Sequence, residues 1–313
     1  MNRPRAHGGD WITFDGFARE LQRRDAEVRF SSSPDDTEVQ WADVVHTYNI
    51  TFPWSLQAIT AAQRNSRPSV VTSIFFHPKV HPGQSASGVR AALDLASGVL
   101  VYNEAEATAI RSVYPGTSAK FMCVEKGHDS RFLANVGDPR GIDVLCVGSI
   151  EPRKGQLGVI SACNSLGIAP IIVGPDLIPD YARKCRQTGS AVFTGRIERD
   201  VLPPFYAAAR VFVQASVWDP QPNTVIEAAL AGCNVVVSNA TFFGELPGVQ
   251  LCDPMSVDSI RAAIDAAVAA PPTTALQDHV RKRFSWERAV DDLLGHYRTV
   301  VLGAGREWPP EKA

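Results

Sequence analysis

Short runs of β-branched apolar residues alternate with longer stretches of helical periodicity, and the alternation starts afresh midway along the chain. Uninterrupted apolar runs suit strands buried on both faces, and strands separated by helices build parallel sheets. In the first half the strand candidates are Asp43-Val-Val-His46, Ser69-Val-Val-Thr72 and Gly98-Val-Leu-Val-Tyr102, with Val28 and Phe30 alternating like a shorter one. Helices are expected over 11–24, with Trp11, Phe14, Ala18 and Leu21 on one stripe, and around 54–64 and 87–97. Asp129 to Gly141, with Gly137, Asp138 and Pro139, has weak periodicity and reads as the linker. The pattern then restarts with strand candidates at Asp143–Gly148, Pro170–Gly174, Val192-Phe193, Val211–Gln214 and Asn234–Ser238. Helices are expected between them and over about 256–269. Ser285 is an N-cap candidate for a last helix carrying Trp286, Val290, Leu293, Leu294 and Tyr297 on one face, and the tail 307–310 reads as loose.

A chain of 313 residues suits two domains of ordinary size, and 45% hydrophobic residues can fill two cores. The expected fold class is α/β, with two Rossmann-like doubly wound domains facing across a cleft. Ligands of such sheets bind beyond the carboxyl ends of the strands. With 31 Lys+Arg against 33 Asp+Glu there is no electrostatic case for nucleic acid as a partner. The six cysteines form no C-x-x-C pair, and several sit in apolar runs, which favours buried reduced thiols. No stretch reaches the roughly 18 apolar residues that span a bilayer. A cytoplasmic protein is expected, with peripheral contact at the inner membrane surface left open.

Four segments could carry chemistry at the expected cleft. Asp219-Pro-Gln-Pro-Asn-Thr-Val-Ile-Glu227 follows a strand, so it places one carboxylate in a loop and a second in the helix behind it. The first suits a sugar's hydroxyls and the second a ribose diol, while the helix start at Asn223 and Thr224 offers N–H groups to a diphosphate. In Val147-Gly-Ser-Ile-Glu-Pro-Arg-Lys-Gly155, Gly148 permits close approach of backbone, Lys154 supplies a charge for phosphate and Arg153 a second cation. His7-Gly8-Gly9-Asp10 stands before the first helix, where glycine N–H groups can meet an anion. Thr194-Gly195-Arg196-Ile197 can line a base with its backbone. Taken singly, each segment is equally readable as a solvated turn. His46 and His77 lie at or past strand ends, where a structural role is the ordinary expectation. No carboxylate or histidine cluster has metal-ligand spacing.

Taken together and in order, these segments resemble glycosyltransferase family 4, retaining enzymes of the GT-B fold. Gly148 to Gly155 resembles the family's G-R-x-x-x-x-K-G loop, and Val192–Arg196 its base-site turn. Asp219 to Glu227 resembles its E-x7-E motif, and Phe243-Gly-Glu245 its G-x-x-E loop. His7–Gly9 and Val124–Asp129 resemble the glycine loop and the N-G-x-D turn of the first domain, and Phe284-Ser-Trp286 the terminal segment that crosses back to it.

The resemblance implies transfer of a sugar from a UDP- or GDP-linked donor to an acceptor sugar or lipid-linked glycan, with retention, no cofactor and no required metal. It makes Lys154, Asp219 and His77 the catalytic candidates, with Lys154 stabilising the departing diphosphate. Donor binding falls to Gly8, Gly9, Gly148, Ser149, Arg153, Gly195, Arg196, Asn223, Thr224, Glu227 and Glu245. The chain departs from the pattern in four places. Ser149 stands where the family has arginine, and Asp219 is one methylene shorter than the usual glutamate. His77 lies three residues beyond the position, Ile74, aligned with a family histidine. Only Met1–Ala6 precede the glycine loop, where the family has its first strand. The implied division is an acceptor-side domain over 1–138, a nucleotide-sugar domain over 139–283 and a crossover helix over 284–303. The expected setting is cell-surface polysaccharide or glycoconjugate synthesis. The competing reading is a catalytically weak sugar-nucleotide-binding partner or regulatory subunit of the same fold.

Overall fold

The structure is a computed structural model that describes residues 9–31, 36–75, 86–136, 140–240, 245–272 and 274–308. Gly8, His77 and the Phe243-Gly244 part of the G-x-x-E resemblance lie outside the described residues. The chain divides into two compact units, Met1–Gly127 with Ser285–Ala313, and His128–Phe284.

The first unit holds a parallel sheet of β1 (Val45–Tyr48), β2 (Ser69–Thr72), β3 (Gly98–Val101) and β4 (Phe121–Cys123), in that order. Its helices among the described residues are α1 (Gly9–Arg23), α2 (Asp36–Trp41), α3 (Pro53–Arg64), α4 (Ala86–Leu95) and α5 (Glu104–Val113), joined by α12 (Trp286–Gly303) from the chain's end. The Ser285 hydroxyl caps α12 by accepting from Arg288 N. The expected stripe on that helix packs as read: Val290, Leu293 and Tyr297 join Phe17 and Leu21 of α1 over Val70, Leu100 and Met122 of the sheet. The Trp286 ring fits because Gly16 and Gly127 flank it, where an added Cβ would lie 2.1 and 2.2 Å from ring carbons. Two expectations are corrected. Val28–Phe30 forms no strand, because Val28 is drawn onto the α1–α12 core while Phe30 packs on Trp11 and Phe14. Trp308 is not loose but packs against the same core.

The second unit holds β5 (Ile142–Val147), β6 (Ile171–Val173), β7 (Val192–Gly195), β8 (Ala209–Gln214), β9 (Asn234–Ser238) and β10 (Gln250–Cys252), all parallel, in the order β10-β9-β8-β5-β6-β7. Side chains alternate between two cores. Leu145, Phe212, Val235 and Val237 face α8 (Pro203–Ala208), α9 (Asn223–Leu230) and α11 (Ala275–Arg283). Val144, Cys146, Val211, Val213 and Val236 face α6 (Gln156–Ser165), α7 (Pro179–Thr188) and α10 (Val257–Ala269). Five cysteines are buried thiols, as the apolar runs suggested, whereas Cys123 at the end of β4 is exposed.

Strand order fixes where this unit can hold a ligand. From β5 the chain moves outward through β6 and β7, then returns to place β8 beside β5 and moves outward the other way. The loops after β5 and β8 therefore diverge from adjacent strands, and a crevice opens between them at the carboxyl edge. Among the described residues no helix is long and apolar enough to cross a membrane.

Candidate functional site

The loop after β5 is shaped by glycines. Gly148 lies at φ +155°, and across from it Gly174 lies at φ +152° so close that a Cβ would come within 1.9 Å of the Gly148 carbonyl oxygen. Ile150 then pairs with the segment after β6, accepting from Ile178 N and donating to Pro175 O. A 3-10 turn over Pro152–Lys154 ends at Gly155, whose φ of +71° starts α6 directly beneath the carbonyl of Ala215. Lys154 is thus pinned between a short turn and a helix start, facing the loop that follows β8.

That second loop is tied to the first at several points. Val217 N donates to Arg153 O at 2.8 Å, and Arg153 Nη1 donates to Trp218 O at 3.2 Å. Lys154 Nζ meets Asp219 Oδ2 at 2.6 Å, with Arg153 Nη1 3.6 Å from the same oxygen. Arg153 also pairs with Glu151 at 2.9 Å, and Ser149 Oγ donates to that carboxylate at 2.6 Å. The Lys154 and Asp219 side chains retain 15% and 14% of their exposure, enough for a ligand to reach them. Two cations, Arg153 and Lys154, face two carboxylates, Glu151 and Asp219, so the cluster is formally neutral.

Behind Asp219 stands Gln214, buried at the end of β8. Its amide nitrogen donates to Asp219 Oδ2 at 3.1 Å, and its oxygen accepts from Thr224 Oγ1 at 2.5 Å. The loop carboxylate and the first turn of α9 are thereby locked together. Pro222 stands at the N-cap of α9 and provides no capping side chain. Nothing in the motif spacing pointed to Gln214 except that a polar residue ended an apolar run.

Glu227 lies one turn further along α9, only 5% exposed. Its Oε1 accepts from Arg199 Nη1 at 3.0 Å, with Nη2 in an ion pair 2.9 Å away, and its Oε2 accepts from Tyr206 Oη at 2.9 Å. Burial raises the carboxyl above its ordinary value, while the Arg199 charge and the Tyr206 hydrogen bond pull it back down. Arg199 sits in a 3-10 turn after β7 and Tyr206 in α8, so three loops of sequence converge on one carboxylate. Neither partner was visible in the sequence pattern, because each lies more than twenty residues from Glu227.

The remaining candidates spread along the same unit. Gly195 ends β7 at φ +72°, and its carbonyl accepts from Gly174 N at 2.9 Å. Arg196 is exposed and pairs with Glu198 at 3.3 Å rather than with the Lys154 cluster. Glu245 is exposed, beside the buried Leu246. In the first unit Gly9 opens α1, and both ring nitrogens of His46 are engaged, Nδ1 with Tyr297 Oη at 2.6 Å and Nε2 with Thr72 Oγ1 at 2.8 Å. Burial pushes His46 down to about 4, so it stays neutral near pH 7.

Residues 141–269 match the family model described as glycosyl transferases group 1. The chain is 29% identical over 173 residues to the O-antigen chain mannosyltransferase B of Escherichia coli, a match that covers 50% of this chain and 45% of that one. It is 27% identical over 188 residues to the GDP-mannose-dependent alpha-(1-6)-phosphatidylinositol monomannoside mannosyltransferase of Mycobacterium tuberculosis, covering 53% of this chain and 42% of that one. The matched stretch thus spans under half the length of either relative. Among solved structures, Anabaena HepE in complex with UDP-glucose superposes with a TM-score of 0.75 at 18% identity, over 95% of this chain and 98% of that one. Likeness at that identity is one of fold, the GT-B fold.

Proposed function

The chain belongs, through residues 141–269, to the glycosyl transferases group 1 family, and from that premise we propose that it is a retaining glycosyltransferase taking its sugar from a UDP- or GDP-linked donor. One observation carries the reading: Lys154 and Asp219 meet at 2.6 Å between the two loops that diverge at the switch point of the second sheet. A phosphate-sized anion and a hydroxyl-rich ring are what a cation and a carboxylate at that crevice can recognise.

The chemistry follows from the charges. As the glycosidic bond breaks, negative charge collects on the departing diphosphate, and stabilisation there lowers the barrier directly. Lys154 supplies that stabilisation by leaving Asp219 for the phosphate, and Arg153, close behind, serves as the second cation in place of the arginine that Ser149 replaces. Asp219, released from Lys154 and still held by Gln214, accepts hydrogen bonds from the sugar's hydroxyls. The cluster thus exchanges partners on donor binding rather than leaving a charge bare. Asn223 and Thr224 present the start of α9 to the diphosphate, and Gly148 lets backbone approach it. Glu227 takes the ribose, and the Gly195-Arg196 turn takes the base. Glu245 completes the donor contacts of the second unit, while Gly8 and Gly9 as donor ligands and His77 as the catalytic candidate are first-unit assignments carried by the resemblance alone; the acceptor is a sugar or lipid-linked glycan. The printed name of the E. coli relative, an O-antigen chain enzyme, supports a setting in surface-polysaccharide or glycoconjugate assembly; a cytoplasmic protein in peripheral contact with a membrane is the location that goes with this proposal.

The test is transfer and donor hydrolysis with a panel of UDP- and GDP-sugars. Lys154→Ala should lose about 10²–10³-fold in kcat, the scale of removing a transition-state charge partner. Glu227→Ala should chiefly raise the donor KM. Parental turnover in both variants, with folding intact, overturns the assignment. Donor binding without turnover on any acceptor would instead select a sugar-nucleotide-binding subunit.

A further inference from the structure

Glu227 has more partners than a ligand-binding carboxylate needs. A carboxylate offers about four acceptor positions, two on each oxygen. Arg199 takes one on Oε1, through Nη1 at 3.0 Å, with Nη2 as an ion-pair contact 2.9 Å from the same oxygen. Tyr206 occupies one on Oε2 at 2.9 Å. One acceptor position remains on each oxygen, that on Oε1 crowded by Nη2, and the Glu227 side chain keeps 7% of its exposure.

Arg199 is itself held from behind. Its guanidinium lies 4.8 Å over the Phe132 ring, and Asp129 Oδ2 stands 3.8 Å from Nη2. Asp129 is bound by Arg131 at 2.6 Å, and Arg131 reaches on to Asp200. Tyr206 is fully buried between Phe132 and Phe212. Neither partner can swing away from Glu227 without disturbing a packed ring or a chain of ion pairs.

We infer that Arg199 and Tyr206 are positioning residues for donor binding, which together turn the Glu227 carboxylate so that its Oε2 acceptor position faces the ribose hydroxyls of a nucleoside diphosphate. The inference rests on the reading of Glu227 as the ribose ligand. It changes that reading in one respect: Nη2 crowds Oε1, so a grip on the diol by both oxygens requires Arg199 to yield that contact.

Arg199 has a second consequence. A buried carboxylate without a cation tends to take up a proton, and a protonated acid has lost an acceptor. Burial pushes Glu227 up and Arg199 pushes it down. The groups facing it are Arg199 and Tyr206, with Asp129 and Arg131 behind them and Asp200 beyond. Losing Arg199 therefore moves protonation of Glu227 to higher pH. Donor affinity then becomes weak below that value and improves as pH rises through it.

The experiment is calorimetric titration of UDP and of GDP into the full chain from pH 6 to 9, for the parent and for Arg199→Gln, Arg199→Lys, Tyr206→Phe and Glu227→Gln. Glu227→Gln removes the titrating group and so reports the nucleotide's own phosphate ionisation. Arg199→Gln should weaken binding of the preferred nucleotide about tenfold at pH 6.5, the scale of a lost charge-assisted contact, and regain part of it by pH 8.5. That slope should vanish in the Arg199→Gln, Glu227→Gln double variant. Arg199→Lys should restore part of the affinity, and Tyr206→Phe should cost a few-fold without adding a slope. In transfer assays Arg199→Gln should raise the donor KM far more than it lowers kcat. If Arg199→Gln keeps parental affinity and pH profile while Glu227→Gln weakens binding, Arg199 is a structural ion pair only and the inference falls alone. If Glu227→Gln itself leaves binding unchanged, the ribose reading falls and takes the inference with it.

Discussion

Glu106 of the first unit and Glu227 of the second are both buried near the carboxyl edge of their sheets, and their surroundings differ. Glu106 of the first unit is fully buried, and Glu227 of the second is 5% exposed. Glu106 accepts from Ser73 Oγ at 2.5 Å, Phe75 N at 3.0 Å and Tyr102 N at 2.8 Å, so it staples the chain leaving β2 to the chain leaving β3. Its direct hydrogen-bond partners are neutral, and no part of it reaches solvent. Glu227 is bound by a guanidinium and a phenol, both side chains, and keeps a small opening. Burial raises both carboxyls. The same burial thus goes with a clamp where backbone and a hydroxyl supply the donors, and with the proposed ribose ligand where a cation does.

The largest expected effects set these two apart. Glu106→Ala leaves two backbone N–H groups and a hydroxyl without their acceptor, and should cost about 3–5 kcal/mol of stability. Glu227→Ala leaves Arg199 beside Asp129 with access to water and strands only the buried Tyr206 hydroxyl, and should cost about 1–3 kcal/mol while weakening nucleoside diphosphate binding about tenfold or more. Urea unfolding and UDP or GDP titration on the same preparations decide it. Equal stability losses, or donor affinity lost equally in both at saturating folding, would erase the contrast.

A smaller effect contrasts two glycines of the same φ. Gly116 in the first unit and Gly155 in the second both have φ +71°. Around Gly116 nothing lies within 4 Å of an added Cβ, whereas at Gly155 it would lie 2.1 Å from the Ala215 carbonyl oxygen. Gly116→Ala should cost about 1–2 kcal/mol, the left-handed penalty alone. Gly155→Ala should cost more and should also lower turnover, because relieving the overlap pushes the Lys154 loop away from the Asp219 loop. Matching costs and unchanged turnover would show that the two loops are not held as tightly as their hydrogen bonds indicate.

What could be read from the sequence differs between the units for the same reasons. In the second unit the strands flanking the switch point carry the runs Val144-Leu-Cys146 and Val211-Phe-Val213, buried and unmistakable, so Lys154 and Asp219 could be placed on the loops behind them. The short edge strand β10, Gln250–Cys252, gave too few residues to show a period. Helix α11 was hidden because Leu276 and Val280 carry its packing among charged neighbours. In the first unit Val28 and Phe30 looked like a strand because alternation reports two-sidedness, not pairing; here the two sides are a helical core and an aromatic cluster. The three residues of β4 gave no signal at all. At the site, groups close in sequence were legible, while Gln214, Arg199 and Tyr206 act across loops that only the folded sheet brings together.

The smallest expected effect asks which force rules Glu106. Glutamine keeps its shape, but with the oxygen accepting from Ser73 and Phe75 the amide NH2 would point at the Tyr102 N–H, donor against donor. That penalty does not titrate. In the parent, burial is the largest influence and raises Glu106 above 4.5, outweighing its three hydrogen bonds and the Lys126 charge. A raised carboxyl binds its proton more tightly folded than unfolded. Its contribution to stability is therefore complete below the unfolded value and is lost as pH rises through the folded one. The stability advantage of the parent over Glu106→Gln should accordingly shrink from pH 5 to pH 8 in urea unfolding, since the titration of Glu227 is common to both and cancels. An advantage that grew with pH would mean that the three donors overcome burial, and that Glu106 is held as an anion.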